Sequence, residues 1–185
     1  MTDTTRAELL LEQVLGALTD EAWAATLDRI ETPTYLTDKD GNVTYWNRAC
    51  VDFAGREPQL GRDRWCVTWK LYTTAGDLLP HNACPMAVAI KQQRAVRNAV
   101  AIAERPDGSR RAFSPYPTPL FDEAGDLAGA VNLLIDVTEE QGTVLLQQAD
   151  HCRRLSKSVT DGQASRVLED MAIGYERTAA SLDMR

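Results

Sequence analysis

Residues 128–140, Ala-Gly-Ala-Val-Asn-Leu-Leu-Ile-Asp-Val-Thr-Glu-Glu, constrain this chain more than any other stretch. Ala128–Asp136 is its most apolar β run, and Asn132 interrupts it. Such a run must be covered by other structure. Thr138 and Gln141 then show the capping spacing S/T-x-x-Q. Thr138 is placed to offer an N-cap oxygen, and Glu139 and Glu140 sit where the helix dipole favours acids. Val144, Leu145, Cys152, Leu155 and Val159 carry a loose apolar stripe onward. A buried strand is therefore joined without a linker to a helix of about 19 residues, roughly 28 Å long. Asp136, Thr138 and Glu139 make a stiff junction that passes a change in the sheet to whatever the helix touches.

The rest of the chain divides around this element. Residues 1–22 read as a helix: Thr5 and Glu8 have capping-box spacing, and Leu10, Leu11, Val14, Leu15 and Leu18 recur at helical intervals. A second short helix over 20–30 carries Trp23, Leu27 and Ile30 and stops before Pro33. Thr34–Asp38 and Val43–Trp46 flank the turn Asp40-Gly41-Asn42 and predict a hairpin. Asn47–Ala54 reads as a short helix ended by Gly55, and Pro85 suits the first position of a helix to Gln93. Between them, residues 56–80 have weak periodicity and hold Trp65 and Trp69. Val96–Glu104 and Ser109–Thr118, around the turn Asp107-Gly108, predict two more strands before Ala128–Asp136. Beyond the helix from 138, Thr160 and Gln163 repeat the capping spacing. Ala164, Leu168, Met171, Tyr175 and Leu182 then predict a second C-terminal helix, as a hairpin or after a break.

Within the closing strand Asn132 shares a face with Ala130, Leu134 and Asp136. If buried it needs a partner, either a neighbouring side chain or a ligand. The opposite face, Val131, Leu133 and Ile135, needs a cover, and the N-terminal leucine stripe can supply it. A net charge of −7, from 27 acidic and 20 basic residues, argues against a chain built as a whole to bind nucleic acid or an anionic membrane. No apolar run approaches the roughly 20 residues of a membrane span. The four cysteines lack C-x-x-C spacing, and no signal peptide is evident, so reduced thiols and a cytoplasmic location are expected.

Three motifs in order carry a family resemblance. They are Thr37-Asp38-Lys39-Asp40-Gly41-Asn42-Val43-Thr44-Tyr45-Trp46-Asn47-Arg48-Ala49, Arg105-Pro106-Asp107-Gly108-Ser109, and the closing Gly129–Glu139 with its Asp136-Val137-Thr138-Glu139. Residues 34–140 thereby resemble a PAS domain. Lys70-Leu71-Tyr72 to Pro80-His81, with Cys84-Pro85-Met86-Ala87, is similar to PAS domains found beside bacterial two-component proteins. The resemblance implies an α+β fold: a five-stranded antiparallel sheet with short helices on one face around a small cavity, Thr34–Asp38 lying beside Ala128–Asp136. N-terminal cap helices (1–32) and a C-terminal helical extension (141–185) then flank the domain (33–140). Trp46, Trp65, Trp69, Met86, Asn132 and Leu134 become candidate pocket residues, against the plainer reading of the tryptophans as core.

The resemblance also bears on cofactors. Light-sensing flavin relatives carry an N-C-R-F-L-Q helix and a glutamine two residues before the closing aspartate; here that helix motif is missing and the position is Leu134. Haem-binding relatives use a histidine on the long helix near the pocket, whereas His81 precedes the Pro85 helix and His151 lies outside the domain. His81/Cys84 and His151/Cys152 do not make the two tight ligand pairs of structural zinc, and His81–Cys84 lacks an orienting acid for nucleophilic catalysis. No P-loop or kinase motif appears, and the residues after His151, Cys152-Arg153-Arg154-Leu155, lack the acidic residue usual beside a phosphoacceptor histidine. Neither a cofactor, a metal nor an enzyme activity is expected. The expected function is a cytoplasmic sensor or adaptor. It would sense a small ligand or partner and relay it through its flanking helices to a separate protein such as a histidine kinase or response regulator. The alternative is a constitutive interaction module without ligand. The N-terminal stripe Leu10, Leu11, Val14, Leu15 and Leu18 is the expected homodimer interface.

Overall fold

The computed structural model describes residues 3–183; Met1 and Thr2 at the start of the expected N-terminal helix, and Met184 and Arg185, lie outside the described residues. Its centre is one antiparallel sheet of β1 (Thr34–Asp38), β2 (Val43–Trp46), β3 (Lys70–Tyr72), β4 (Ala101–Glu104), β5 (Arg110–Pro115), β6 (Thr118–Phe121) and β7 (Leu127–Asp136). The order is β2-β1-β7-β5-β4-β3, and β6 also lies along β7. The expected neighbours pair as predicted, from Thr34 opposite Leu133 to Asp38 opposite Gly129. Gly129 is required there, because a Cβ would lie 2.1 Å from the Thr37 carbonyl oxygen.

The sheet has seven strands rather than the five expected. Two local causes account for the difference. The predicted strand 109–118 runs on to Phe121 but is broken at Tyr116-Pro117, because Pro117 has no N–H to give the ladder. The Tyr116 N–H instead donates to the Leu133 carbonyl at 2.9 Å and to Asn132 Oδ1 at 2.9 Å. The extra edge strand β3 has three residues, too few to show a period, and Glu104 of β4 holds it by accepting from Lys70 at 3.0 Å.

On the inner face α3 (Arg48–Ala54) and α4 (Pro85–Gln92) pack on the sheet, with His81–Ala83 forming a single 3₁₀ turn before α4. Asn47 is the local organiser. Its Oδ1 caps α3 by accepting from the Cys50 N–H at 3.2 Å and also accepts from the Thr34 N–H at 3.0 Å. Its amide donates to the carbonyls of Ile30 and Thr32, each at 2.9 Å. One buried side chain thus ties the chain entering β1 to the helix leaving β2.

The outer face is covered by the flanking helices. α1 (Asp3–Ala17) and α2 (Trp23–Leu27) lay Ala7, Leu11, Val14 and Leu27 on Val131, Leu133 and Tyr116. The expected cover of the closing strand is therefore formed within one chain. Leu11 and Val14, expected in a dimer interface, are buried on their own sheet, with Leu10, Leu15 and Leu18 packed partly against the same cluster. α1 already begins at Asp3, so Thr5 and Glu8 are not its cap. α2 is shorter than expected, and β4 starts five residues later than the predicted strand.

α5 (Thr138–Ser158) and α6 (Gly162–Ser181) form the hairpin alternative for the C-terminal extension. Leu182 returns to the sheet among Ile102, Ala112 and Leu145, and the Asp183 N–H donates to the Arg110 carbonyl at 2.8 Å. The N-cap of α6 is Asp161, accepting from Gln163, and not Thr160.

Replacing a side chain between α1 and the sheet tests this cover. Leu11→Ala, at a residue 6% exposed, is expected to destabilise by about 2–4 kcal/mol in urea unfolding. Leu9→Ala, at a residue 48% exposed, should stay within about 0.5 kcal/mol of the parent. Equal effects would show that α1 does not pack on the sheet.

Candidate functional site

Two neighbouring arrangements are built on β7, one inside the sheet and one at its end. Inside, Asn132 is buried opposite Tyr35 of β1. Its amide donates to the Tyr35 hydroxyl oxygen at 3.0 Å, and that hydroxyl donates to the Trp65 carbonyl at 3.0 Å. With the bond from Tyr116 N–H to Asn132 Oδ1, a continuous chain of hydrogen bonds links the Trp65 loop to the β5–β6 break. The partner for Asn132 is a neighbouring side chain, as one of the two sequence readings had it. Trp65 is held with φ at +70°, in the left-handed region that a bulky residue seldom occupies. Its N–H donates to the Gly41 carbonyl at 2.7 Å, and its ring lies where a Cβ on Gly41 would collide at 2.2 Å.

Three thiols surround this network. Cys66 lies within hydrogen-bond reach of the Thr68 hydroxyl at 3.2 Å, Cys50 donates to the Thr34 carbonyl at 3.3 Å, and Cys84 points at the Trp65 carbonyl from 3.8 Å. Burial pushes all three above the ordinary thiol value of 9.0, Cys84 to about 12, and pushes Tyr35 well above 10.0. The interior is uncharged and holds its protons.

The six candidate pocket residues do not all converge. Met86, Asn132 and Leu134 are buried, Met86 and Leu134 in the inner cluster that Trp46 and Trp65 flank. Trp69 is outside, 44% exposed, with the Lys70 ammonium 4.2 Å from its ring centroid. Its neighbour Val67 takes the inward place, which the aperiodic stretch 56–80 gave no means to foresee. Tyr35 was legible only through register: once the opening and closing motifs pair, it faces Asn132. Tyr35, Phe53, Met86, Ile90, Phe113 and Leu134 form one packed cluster between sheet and helices, Phe53 and Phe113 meeting edge to face at 5.5 Å. His81 is half-buried beside Asp63 and Arg56; burial lowers its pKa, Asp63 opposing and Arg56 adding to the shift. Cys152 turns into the α5–α6 seam while His151 turns outward.

At the end of β7 Thr138 is the first residue of α5, but it is not the cap, which is Val137. The Thr138 side chain instead reaches back to the sheet. Its hydroxyl lies 2.6 Å from Asp136 Oδ1 and 3.2 Å from the Ala112 carbonyl, and accepts from the Ala112 N–H at 3.1 Å. Asp136 Oδ1 also accepts from the Thr138 N–H at 3.0 Å, and Arg111 stands 3.5 Å from its other oxygen. Glu139 is exposed and, with Glu140, Arg111 and Asp183, lines an open groove of about 240 Å³ beside this junction. The three predicted junction residues are therefore together, but the tie runs to β5 as well as along the chain.

A family model described as the PAS fold matches residues 27–142. No curated protein matches in sequence. Among solved structures, a light-oxygen-voltage domain studied with a flavin analogue is 16% identical with a TM-score of 0.51, the match covering 72% of this chain and 98% of that one. An RNA-binding light-oxygen-voltage receptor is 19% identical with a TM-score of 0.49 over 89% of this chain, which spans 37% of that protein. The light-oxygen-voltage domain of a blue-light activated histidine kinase from Erythrobacter litoralis is 22% identical with a TM-score of 0.45, over 59% and 98% of the two chains. At these identities the likeness is one of fold. A fold shared with a flavin-analogue structure leaves flavin open, so the expectation against it rests on the missing helix motif and on Leu134 alone. No helix among the described residues is long and apolar enough to cross a membrane.

The buried thiols predict a pH response with a definite sign. Their folded pKa values lie above the unfolded 9.0, so the folded chain keeps protons that the unfolded chain gives up. Stability is full below about pH 9 and falls as pH rises through the window toward the folded values, by about 1.4 kcal/mol per pH unit for each thiol. Thermal melts should be level from neutrality to about pH 8.5 and then drop steeply, with Cys84→Ala giving a shallower drop. A level profile to about pH 10.5 would show that these groups are not buried as described.

Proposed function

The chain belongs to the PAS fold family, and from that membership we propose that it is a sensor-type signalling module working by contact, not catalysis. The observation that carries this reading is β7. One strand holds Asn132 in the interior network and, four residues on, Asp136 in the bonds that seat α5. A shift in Tyr35 or the Trp65 loop moves Asn132, and the strand passes the shift to Asp136, Thr138 and the hairpin. Because the interior is packed with its own side chains, the input is a partner that alters the Trp65 loop or the helices, rather than a resident flavin or haem. The output is a contact with a separate cytoplasmic regulatory protein, such as a histidine kinase or response regulator. Cys84, held as a neutral thiol, is a poor nucleophile, which supports a non-enzymatic role.

Two measurements test this reading. In hydrogen exchange, Thr138→Ala is expected to speed exchange of the amides over 139–150 about tenfold, the equivalent of roughly 1.4 kcal/mol. Asn132→Leu should change the same amides from inside the sheet. Exchange there identical to the parent in both variants refutes the relay. Separately, the purified protein should be colourless and show the mass of the chain alone in native mass spectrometry. A retained flavin, haem or small molecule would replace the partner-driven reading with a ligand-sensing one.

A further inference from the structure

The Trp65 loop is held from one side by the 3₁₀ turn His81–Ala83 and by α4. The Cys84 thiol points at the Trp65 carbonyl from 3.8 Å. Lys91 donates to the Asn82 carbonyl and stands 5.4 Å from the centroid of the Trp65 ring. Within the loop the hold is one ion pair. Arg56 Nη2 donates to Asp63 Oδ2 at 2.7 Å, both side chains being largely buried, and Arg56 Nη1 donates to the Val67 carbonyl at 3.0 Å. Asp63 Oδ2 also accepts from the Gln59 N–H at 2.6 Å, and the Asp63 carbonyl accepts from the Val43 N–H of β2 at 3.0 Å.

His81 belongs to the turn and is acted on by the ion pair. Its Nε2 is buried and has no hydrogen-bond partner among the described residues. The charged groups that bear on the ring are Asp63 and Arg56 from the loop. On the α4 side Lys91 is engaged one residue on, at Asn82. A neutral imidazole tolerates this place, because one unpaired nitrogen costs less than an unpaired charge. An imidazolium does not. It sets a second cation beside Arg56, and its Nε2–H needs an acceptor. The carboxylate that bears on it is Asp63, whose Oδ2 is already taken twice. Two rearrangements relieve the conflict. Asp63 turns to the imidazolium and releases Arg56 and Gln59, or the ring swings out to water with its 3₁₀ turn. Each removes part of what keeps Trp65 at φ +70°, and a strained residue relaxes once its constraints are gone.

We propose that His81 is an acid-sensitive catch on the Trp65 loop: a proton taken from solvent below neutral pH unfastens the Arg56–Asp63 clasp, so that protons are an input to this module. Burial fixes the direction. It holds the His81 pKa below the ordinary 6.5, with Asp63 opposing and Arg56 adding. The closed loop therefore binds the proton less readily than an opened one, and falling pH favours opening. The closed state is fully favoured above 6.5 and loses ground as pH falls through 6.5 toward the lower value of the closed loop. The inference rests on the proposed relay only for what happens beyond the loop.

Hydrogen exchange of the full chain, expressed as protection over intrinsic rates, tests it at about pH 7.5 and about pH 5.0. Protection of the amides over 59–68 is expected to fall about tenfold, against a ceiling of about 30-fold for a histidine of ordinary pKa in the opened loop. His81→Gln should keep the parent's protection at the higher pH and abolish the fall, whereas His151→Gln, on α5, should leave the fall intact. Should His81→Gln fail to fold, the parent alone decides. In its nuclear magnetic resonance titration the Asp63 and Trp65 amides should shift with the midpoint of the His81 ring, below the ordinary 6.5. Unchanged protection at the lower pH, a fall that persists in His81→Gln, or a His81 midpoint at or above that value overturns the proposal. The amides over 139–150 are read in the same experiment. If 59–68 loosen with acid and these do not, the catch stands and the relay fails; if 59–68 do not loosen, the catch alone fails.

Discussion

Everything in this molecule is arranged around the burial of β7 on all four sides. One edge is bonded to β1 and the other to β5 and β6. Its inward residues Ala130, Asn132 and Leu134 meet the inner helices' side of the sheet, and its outward residues Val131 and Leu133 meet α1. A slip of one residue would exchange these two sets and place Asn132 under the leucines of α1. Gly129 against the Thr37 carbonyl opposes such a slip, because only glycine permits that approach. The N-terminal helices are therefore a structural requirement of the strand, and only secondarily a surface for anything else.

That logic explains which features could be read in the sequence. The closing run announces a strand needing two covers, and the leucine stripe at 10–18 announces one of them, so the outer packing follows from hydrophobic pattern alone. Asn47 and Gly55 bracket α3 because a capping side chain and a left-handed glycine are local chemistry. The Tyr116 break was legible in principle, since prolines stand at 115 and 117, but where the displaced N–H goes depends on Asn132, a partner distant in sequence. β3 and the outward turn of Trp69 were not legible. Both lie in a stretch ordered by contacts such as Arg56 with Asp63 at 2.7 Å and Arg56 with the Val67 carbonyl at 3.0 Å, which no periodicity records. The capping pattern at Thr138 identified the right residue and the wrong bond: the hydroxyl has a better partner in the sheet than in its own helix.

The C-terminal stripe shows a related limit. Val144 and Leu145 are adjacent apolar residues, and sequence alone does not say which belongs to the helix–helix seam. The hairpin resolves this by burying Leu145 and leaving Val144 out, and the same choice between neighbours puts Ala172 inside and Met171 outside. In the sequence two interleaved stripes read as one loose stripe, which is why its spacing looks irregular.

The polar chain through the interior is costly to place in a packed core, since each of its groups must be paired in a medium that penalises any left alone. Its members are paired with one another and with backbone: Tyr35 with Asn132 and Trp65, Asn132 with Tyr116. An aliphatic core of the same shape would fold with fewer demands. What the polar chain adds is geometry, because it fixes the Trp65 backbone in a left-handed conformation that the residue would not adopt alone, and it does so from the strand that ends at Asp136. Strain tied through Tyr35 to Asn132 in the middle of β7 and a hydrogen-bonded seat for α5 at its end are held by the same ten residues. A disturbance at Trp65 can relax locally only by breaking the bond to Tyr35, and Tyr35 gives up Asn132 only by leaving a buried amide unpaired. In the proposed relay the cheaper response is for the strand to move with its load, and the Thr138 hydroxyl makes the first turn of α5 part of that load.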